Sequence, residues 1–129
     1  GVVMVTFVPG FISQAVADHG DAPNPPRATL SQVADHIDHI RDVAGIDHIG
    51  LGSDFDRVPC VPQELGDVTF LPRLTYQLLA AGQSEATIRK VLGENLLRVF
   101  GAVEQRAYAL RGTAPRCNDP ATDHLPRER

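Results

Sequence analysis

The residues with the clearest capacity for chemistry are two aspartates that follow a run of small residues, Gly-Leu-Gly-Ser-Asp-Phe-Asp at positions 50–56. A short apolar segment precedes them, so the pattern predicts a buried strand that ends in a loop carrying Asp54 and Asp56. A carboxylate at such a strand end can accept a proton, bind a metal ion or pair with a cationic substrate group. The alternative is a structural turn, in which the aspartate side chains accept hydrogen bonds from backbone amides.

A second cluster, Asp-His-Ile-Asp-His at positions 35–39, has a spacing that a metal site could use. His36 and His39 are three residues apart and would lie side by side on a helix. Structural zinc normally has four ligands, and no third ligand is near in the sequence. We therefore interpret the cluster as an ordinary exposed pairing of Asp35 with His39.

The elements that would position these groups read as strand, helix, strand. Residues 2–8 form an apolar, β-branched run that is typical of a strand buried on both faces. After a long loop, predicted over residues 9–28 from its glycines and prolines, Thr29 and Gln32 match a capping box at the start of an amphipathic helix. Gly45 ends this helix, and residues 46–52 then form the second strand of a βαβ unit.

The second half of the chain is predicted to be helical. A loop over residues 58–67 leads to a helix with Pro72 in its first turn and Gly82 as its stop. Ser84 opens another short helix. The pattern then predicts a break or cap at Gly93 and Asn95, followed by a final amphipathic helix that ends at about Leu110.

Composition excludes several classes of function. The chain has 129 residues, 43% of them hydrophobic, which is ordinary for one folded domain. A net charge of −4 with dispersed basic residues argues against a nucleic-acid partner. No segment approaches the roughly 20 apolar residues that span a bilayer, and no lipid-anchor signal is present. Cys60 and Cys117 have no metal-type spacing and are interpreted as free thiols, and this does not fix the compartment. We expect a soluble, cytoplasmic protein.

The two strands predict a part of a larger fold. A parallel sheet of two strands leaves open edges, and a βα barrel typically needs about 250 residues. We interpret residues 1–110 as the carboxyl-terminal portion of a barrel domain and residues 111–129, which are polar and proline-containing, as a disordered tail. A complete chain of this kind would have to cover its strands with helices or form a homo-oligomer.

Four segments together resemble the membrane dipeptidase (renal dipeptidase) family of zinc metallodipeptidases. They are residues 1–9, 33–40, 50–56 and 93–100, in the order and spacing of that family. The resemblance covers about residues 1–105 and implies an α/β fold, namely the last two βα units of a TIM-type (β/α)8 barrel. It also implies a centre of two zinc ions and a dipeptide substrate whose peptide bond is hydrolysed.

The resemblance also implies site residues. Asp54 matches the family's catalytic aspartate on the eighth strand, which lies beside the metal-bound hydroxide and the free amine of the substrate. Phe7 and Phe11 match a segment that borders the substrate pocket, whereas Asp56 receives no more than a supporting structural role. The family's metal ligands, a His-x-Asp pair, a bridging glutamate and two further histidines, come from earlier strands and have no counterpart here.

Three hypotheses about function follow. The first is a fragment of a zinc-dependent dipeptidase that is inactive when the 129-residue chain is produced alone. The second is a non-catalytic remnant of the barrel that acts as a structural or interaction module. The third is another metal-dependent barrel hydrolase. A His-x-Asp strand encoded upstream would favour the first over the second, and a comparison of free dipeptides, N-blocked dipeptides and lactones would separate the third.

Overall fold

The computed structural model describes residues 1–20 and 23–113, which form two strands and six α-helices. The elements are β1 (Val3–Thr6), α1 (Pro9–Ile12), α2 (Gln14–His19), α3 (Leu30–Ala44), β2 (Ile49–Ser53), α4 (Leu71–Ala80), α5 (Glu85–Arg89) and α6 (Asn95–Ala109). Short 3₁₀ turns occupy Ile46–His48 and Val68–Phe70, and a π-helical turn occupies Lys90–Glu94. Within the described part, no helix is long and apolar enough to cross a membrane.

The two strands are parallel and adjacent, with Val3 opposite Ile49 and Thr6 opposite Ser53. Helices α1 to α3 connect them, so the predicted βαβ unit and the α/β fold class are confirmed. The ladder continues past β1, because the backbone N–H of Phe7 donates to the carbonyl of Ser53 at 2.8 Å. The carboxyl ends of both strands therefore lie at the same edge of the sheet.

Helix α3 begins and ends as its sequence predicts. The Thr29 hydroxyl accepts from the Gln32 backbone N–H at 3.3 Å, and the Gln32 side chain accepts from the Thr29 N–H at 3.0 Å. This reciprocal pairing satisfies two amides that the first helical turn leaves without partners. Gly45 then takes a φ of 89°, which residues with a Cβ rarely adopt, and the helix ends there.

One face of the sheet is covered by helices, and the other is open in this chain. Val5, Phe7 and Ile49 pack into a core with apolar residues of α3, α4 and α5. On the opposite face Met4 lies across two glycines: a Cβ at Gly50 would sit 2.7 Å from the Met4 sulfur. The small residues before Asp54 thus permit the close approach of Met4. Because Met4 is 37% exposed, the prediction of a strand buried on both faces is wrong for this chain.

One loop prediction and one strand prediction differ from the structure. The predicted loop 9–28 contains α1 and α2, because Pro9 occupies the first turn of α1 and needs no N–H partner there. Residues 46–48 were predicted as strand and instead form a 3₁₀ turn, with His48 exposed and its Nδ1 2.8 Å from the Gly1 carbonyl oxygen.

A side chain of α6 binds both ends of the segment that holds the 3₁₀ turn. The Asn95 side chain is buried, and its Nδ2 donates to the carbonyls of Ile46 at 2.7 Å and Ile49 at 2.9 Å. The predicted break at Gly93 is confirmed, since its φ of 174° and ψ of −24° are not helical. Asn95, however, is the first residue of α6, and its hydrogen bond to the Ile49 carbonyl fixes the start of β2.

Replacing Asn95 with alanine is expected to destabilise the fold by about 2 kcal/mol or more, because two carbonyls lose their donor and each buried unpaired polar group costs about 1–3 kcal/mol. Urea unfolding measures the effect. Gln105→Ala, at an exposed position of the same helix, is the control and should change the free energy of unfolding by less than about 0.5 kcal/mol. Equal effects of the two substitutions would contradict the assigned role of Asn95.

Candidate active site

The candidate site is a tight turn at the carboxyl end of β2. Asp54 directly follows the strand and takes a φ of 65°, a left-handed backbone angle that aspartate and asparagine tolerate better than most residues with a side chain. The backbone N–H of Arg57 donates to the Asp54 carbonyl at 3.2 Å and closes the turn. Non-glycine residues in this conformation are enriched at functional sites, and the strand end is where barrel enzymes place their catalytic groups.

The turn is held to the core by a pair of phenylalanines. The rings of Phe55 and Phe7 meet edge to face, with centroids 5.4 Å apart and an interplanar angle of 69°. Phe7 is completely buried. In the described part of the chain, Phe7 therefore supports the turn from below, and its predicted contact with substrate stays a prediction.

The Asp54 carboxylate forms no hydrogen bond or ion pair with any described residue. The capping alternative requires such a bond, as Asp67 shows: the Asp67 carboxylate accepts from the Thr69 N–H at 2.8 Å and from the Thr69 hydroxyl at 2.6 Å. These bonds hold the pKa of Asp67 below its ordinary value, the hydroxyl contributing most. Asp54 is thus placed at the strand end with its carboxylate available, while its catalytic role stays a prediction.

Phe11 lies at the same end of the sheet. It is in α1, which starts three residues after β1 ends, and it is 71% exposed. The end of α1 is joined to α3, because the buried Ser13 hydroxyl accepts from the Gln32 side-chain amide at 3.3 Å. The fold therefore brings Phe11 and Asp54 to one edge of the sheet, and substrate binding by Phe11 stays a prediction.

The described residues do not fit a metal centre. Among residues 1–20 and 23–113, no group of three or more His, Cys, Asp or Glu side chains is arranged to hold a metal ion. His36 and His39 belong to no such group. The predicted exposed pairing of Asp35 with His39 is wrong, since no hydrogen bond or ion pair joins these two described residues. A catalytic zinc usually has three protein ligands, so Asp54 alone could not retain one.

A polar cavity of about 420 Å³ lies at the opposite end of β2, lined by Asp47, His48, Lys90, Glu94, Asn95 and Arg98. The Lys90 ammonium is 2.6 Å from the Asp47 carboxylate, and Arg98 donates to the Asp47 carbonyl. These contacts join the 3₁₀ turn before β2 to the π-helical turn and to α6. Because Asp54 lies at the other end of the strand, we do not assign this cavity to the active site.

The ion pair predicts a pH effect. The hydrogen bond and the charge of Lys90 hold the pKa of Asp47 below its ordinary value of 3.8. Its stabilising contribution is therefore present above the unfolded-state pKa and is lost as the pH falls through the lower, folded pKa. Lys90→Met should raise the Asp47 pKa toward 3.8, as followed by NMR titration of its carboxyl carbon. Arg89→Met, which removes only the partner of Glu85, should leave it unchanged; an Asp47 pKa unaffected by Lys90→Met would refute the pairing.

Comparison with known proteins decides the family. The model of the membrane dipeptidase family, peptidase family M19, matches residues 1–113. The chain belongs to the membrane dipeptidase family. The resemblance carried by the four sequence segments is thereby confirmed, and the match extends to the end of the described residues.

Solved structures similar to this member of the membrane dipeptidase family are much longer. Dipeptidase AC, a metallopeptidase of family M19, is 35% identical with a TM-score of 0.62, and the match covers 74% of this chain and 26% of that one. A metallopeptidase from Rhodobacter sphaeroides, solved with a phosphinate mimic of the dipeptide L-Ala-D-Ala, has the same identity, TM-score and coverage of this chain, and 25% of its own chain is covered. The probable dipeptidase PvdM from Pseudomonas aeruginosa is 25% identical with a TM-score of 0.70, and the match covers 82% of this chain and 38% of that one. The present chain thus spans about a quarter of the first two structures.

For this membrane dipeptidase sequence, two features of the site were not found from the sequence. The first is the Phe55 ring, which fixes the turn through a contact with Phe7, 48 positions away in the sequence. The second is the proximity of Arg57 to Asp54. An aspartate at the first position of a four-residue turn is a signal that could have revealed it.

Proposed function

We propose that this chain is the carboxyl-terminal portion of a zinc-dependent dipeptidase and supplies the last two βα units of its TIM-type barrel. The observation that carries the proposal is the match of residues 1–113 to the membrane dipeptidase family. Two adjacent parallel strands with a helical crossover, open on one face, support the assignment to a larger parallel sheet.

The chemical contribution of this chain is the Asp54 carboxylate. It lies at the end of a parallel strand, is partly buried, and is not engaged by any described residue. A carboxylate in that state can accept a proton during hydrolysis or pair with the ammonium group of a free dipeptide. The zinc ligands that the resemblance implies would have to come from residues outside this chain.

The source gene tests this proposal. An in-frame coding region before Gly1 that specifies further βα units, with a strand carrying His-x-Asp, is the expected result. A stop codon or an unrelated domain directly upstream would instead favour a non-catalytic remnant of the barrel. Loss of dipeptide hydrolysis on metal removal from the full-length protein, and its return with zinc, would then establish the zinc dependence.

A further inference from the structure

The turn that presents Asp54 also presents a positive charge. Arg57 is exposed, and the hydrogen bond from its N–H to the Asp54 carbonyl makes the two residues the corners of one four-residue turn. Residues at the corners of such a turn have Cα atoms less than about 7 Å apart. Between them in the sequence, the half-buried Phe55 ring packs edge to face against Phe7 and fixes the position of this turn.

The Arg57 guanidinium forms no hydrogen bond or ion pair with a described residue. No carboxylate of residues 1–20 or 23–113 lies within ion-pair distance of it, although Asp54 and Asp56 are in the same turn. Other arginines of this chain are engaged: Arg41 pairs with Asp38 at 2.7 Å, and Arg73 stacks 4.7 Å from the Phe70 ring centroid. Arg57 is therefore an exposed cation in the same turn as the candidate catalytic carboxylate, and its guanidinium has no hydrogen bond or ion pair with a described residue.

The ligand that matches this arrangement carries an ammonium and a carboxylate close together. If Asp54 pairs with the free amine of a dipeptide, the side chain of the first residue branches from the carbon that bears this amine. We propose that Arg57 binds the side-chain carboxylate of an amino-terminal aspartate or glutamate and gives the enzyme a preference for acidic first residues. The inference rests on the proposed dipeptidase function and adds the substrate class.

The physical reason is complementarity at two points. Guanidinium groups bind carboxylates with two parallel hydrogen bonds, and hydrogen bonds between charged groups are stronger than those between neutral ones. An uncharged side chain of the same shape loses this interaction but keeps all other contacts. Glutamate and glutamine at the first position of a dipeptide therefore form the matched pair of substrates.

The test is the ratio of kcat/KM for Glu-Ala to kcat/KM for Gln-Ala, measured with the full-length enzyme. Wild type should prefer Glu-Ala by about ten-fold or more. Arg57→Gln should bring the ratio to about one, and Arg57→Lys, which keeps the charge, should retain a preference. Arg73→Gln, a control at an exposed position outside the site, should leave the ratio as in wild type.

Each outcome decides the proposal. A merely structural role of Arg57 would lower kcat/KM for both substrates alike and leave their ratio unchanged, which would overturn it. A wild-type enzyme without preference for Glu-Ala would overturn it as well.

Binding separates this inference from the proposed function. The Kd values of two phosphinate dipeptide mimics, with a glutamate or a glutamine side chain at the first position, are measured by calorimetry. A protein that cleaves neither dipeptide, yet binds the glutamate mimic about ten-fold more tightly in an Arg57-dependent way, would refute the dipeptidase function and support the Arg57 site. Equal affinities in wild type would refute the site whatever the activity.

Discussion

Replacing Asp54 with asparagine in the full-length enzyme is expected to lower kcat/KM for a simple dipeptide by about a hundred- to ten-thousand-fold, the usual cost of losing a positioned general acid or base. The amide can neither accept a proton at the working pH nor form an ion pair with the substrate ammonium. The bound zinc and the melting temperature should remain as in wild type.

The local structure allows this substitution to remove the carboxylate without disturbing the fold. Asparagine tolerates the left-handed backbone that Asp54 adopts at φ 65° at least as well as aspartate does. The Asp54 carboxylate has no hydrogen bond to a described residue, so no structural contact of the described chain is removed. Alanine would be a poorer choice, because it would add backbone strain to the loss of the carboxylate.

Asp67→Asn is the matched control. Asp67 caps the turn at Val68–Phe70 through Thr69, and asparagine caps about as well as aspartate. The same change of charge and atom type at this position should leave kcat/KM within a few-fold of wild type. If Asp54→Asn also remained within a few-fold, Asp54 would return to the role of a structural turn residue.

The second large effect concerns the 129-residue chain produced alone. We expect no dipeptide hydrolysis and no zinc binding above background, because a catalytic zinc usually needs three protein ligands and the described residues hold no cluster of three. Product formation with zinc added and zinc retained after gel filtration are the two measurements. The same chain with Asp54→Asn is the control for contaminating peptidase, since turnover equal in both preparations cannot come from this site. Zinc-dependent turnover by the wild-type chain that Asp54→Asn removes would contradict the expectation.

Features that depend on neighbouring residues were predictable. The capping box at Thr29 and Gln32 and the cap at Ser84 act within one helical turn, so their spacing in the sequence contains the whole interaction. The stops at Gly45 and Gly82 depend only on the backbone angle that each glycine permits.

Features that depend on distant residues were not predictable. Residues 46–48 continue a strand-like pattern in the sequence. In the structure, however, the side chain of Asn95, in a helix that follows β2, donates hydrogen bonds to the carbonyls of Ile46 and Ile49. Local preference is a weak guide where a tertiary contact supplies hydrogen bonds. The tail prediction for residues 114–129 lies outside the described residues, and the division at residue 110 stays a prediction.

The candidate site was found from its position and from the family resemblance rather than from its local chemistry. Asp54 stood out because a strand preceded it, yet the sequence alone could not tell a catalytic carboxylate from a turn cap. The difference lies in the hydrogen bonds: the Asp67 carboxylate accepts from Thr69, whereas the Asp54 carboxylate has no hydrogen bond to a described residue. Phe7 likewise has a structural contact, with Phe55, that no local pattern contains.

The most direct test of the proposed dipeptidase is the ratio of kcat/KM for Ala-Ala to kcat/KM for N-acetyl-Ala-Ala, measured with the zinc-loaded full-length protein. Acetylation removes the ammonium that Asp54 is proposed to bind and leaves the scissile bond unchanged. We predict rapid hydrolysis of the free dipeptide and a kcat/KM at least about a hundred-fold lower for the acetylated one, because the acetylated substrate leaves the partly buried Asp54 carboxylate unpaired. Equal rates on the two substrates, or hydrolysis of neither, would contradict the proposed function.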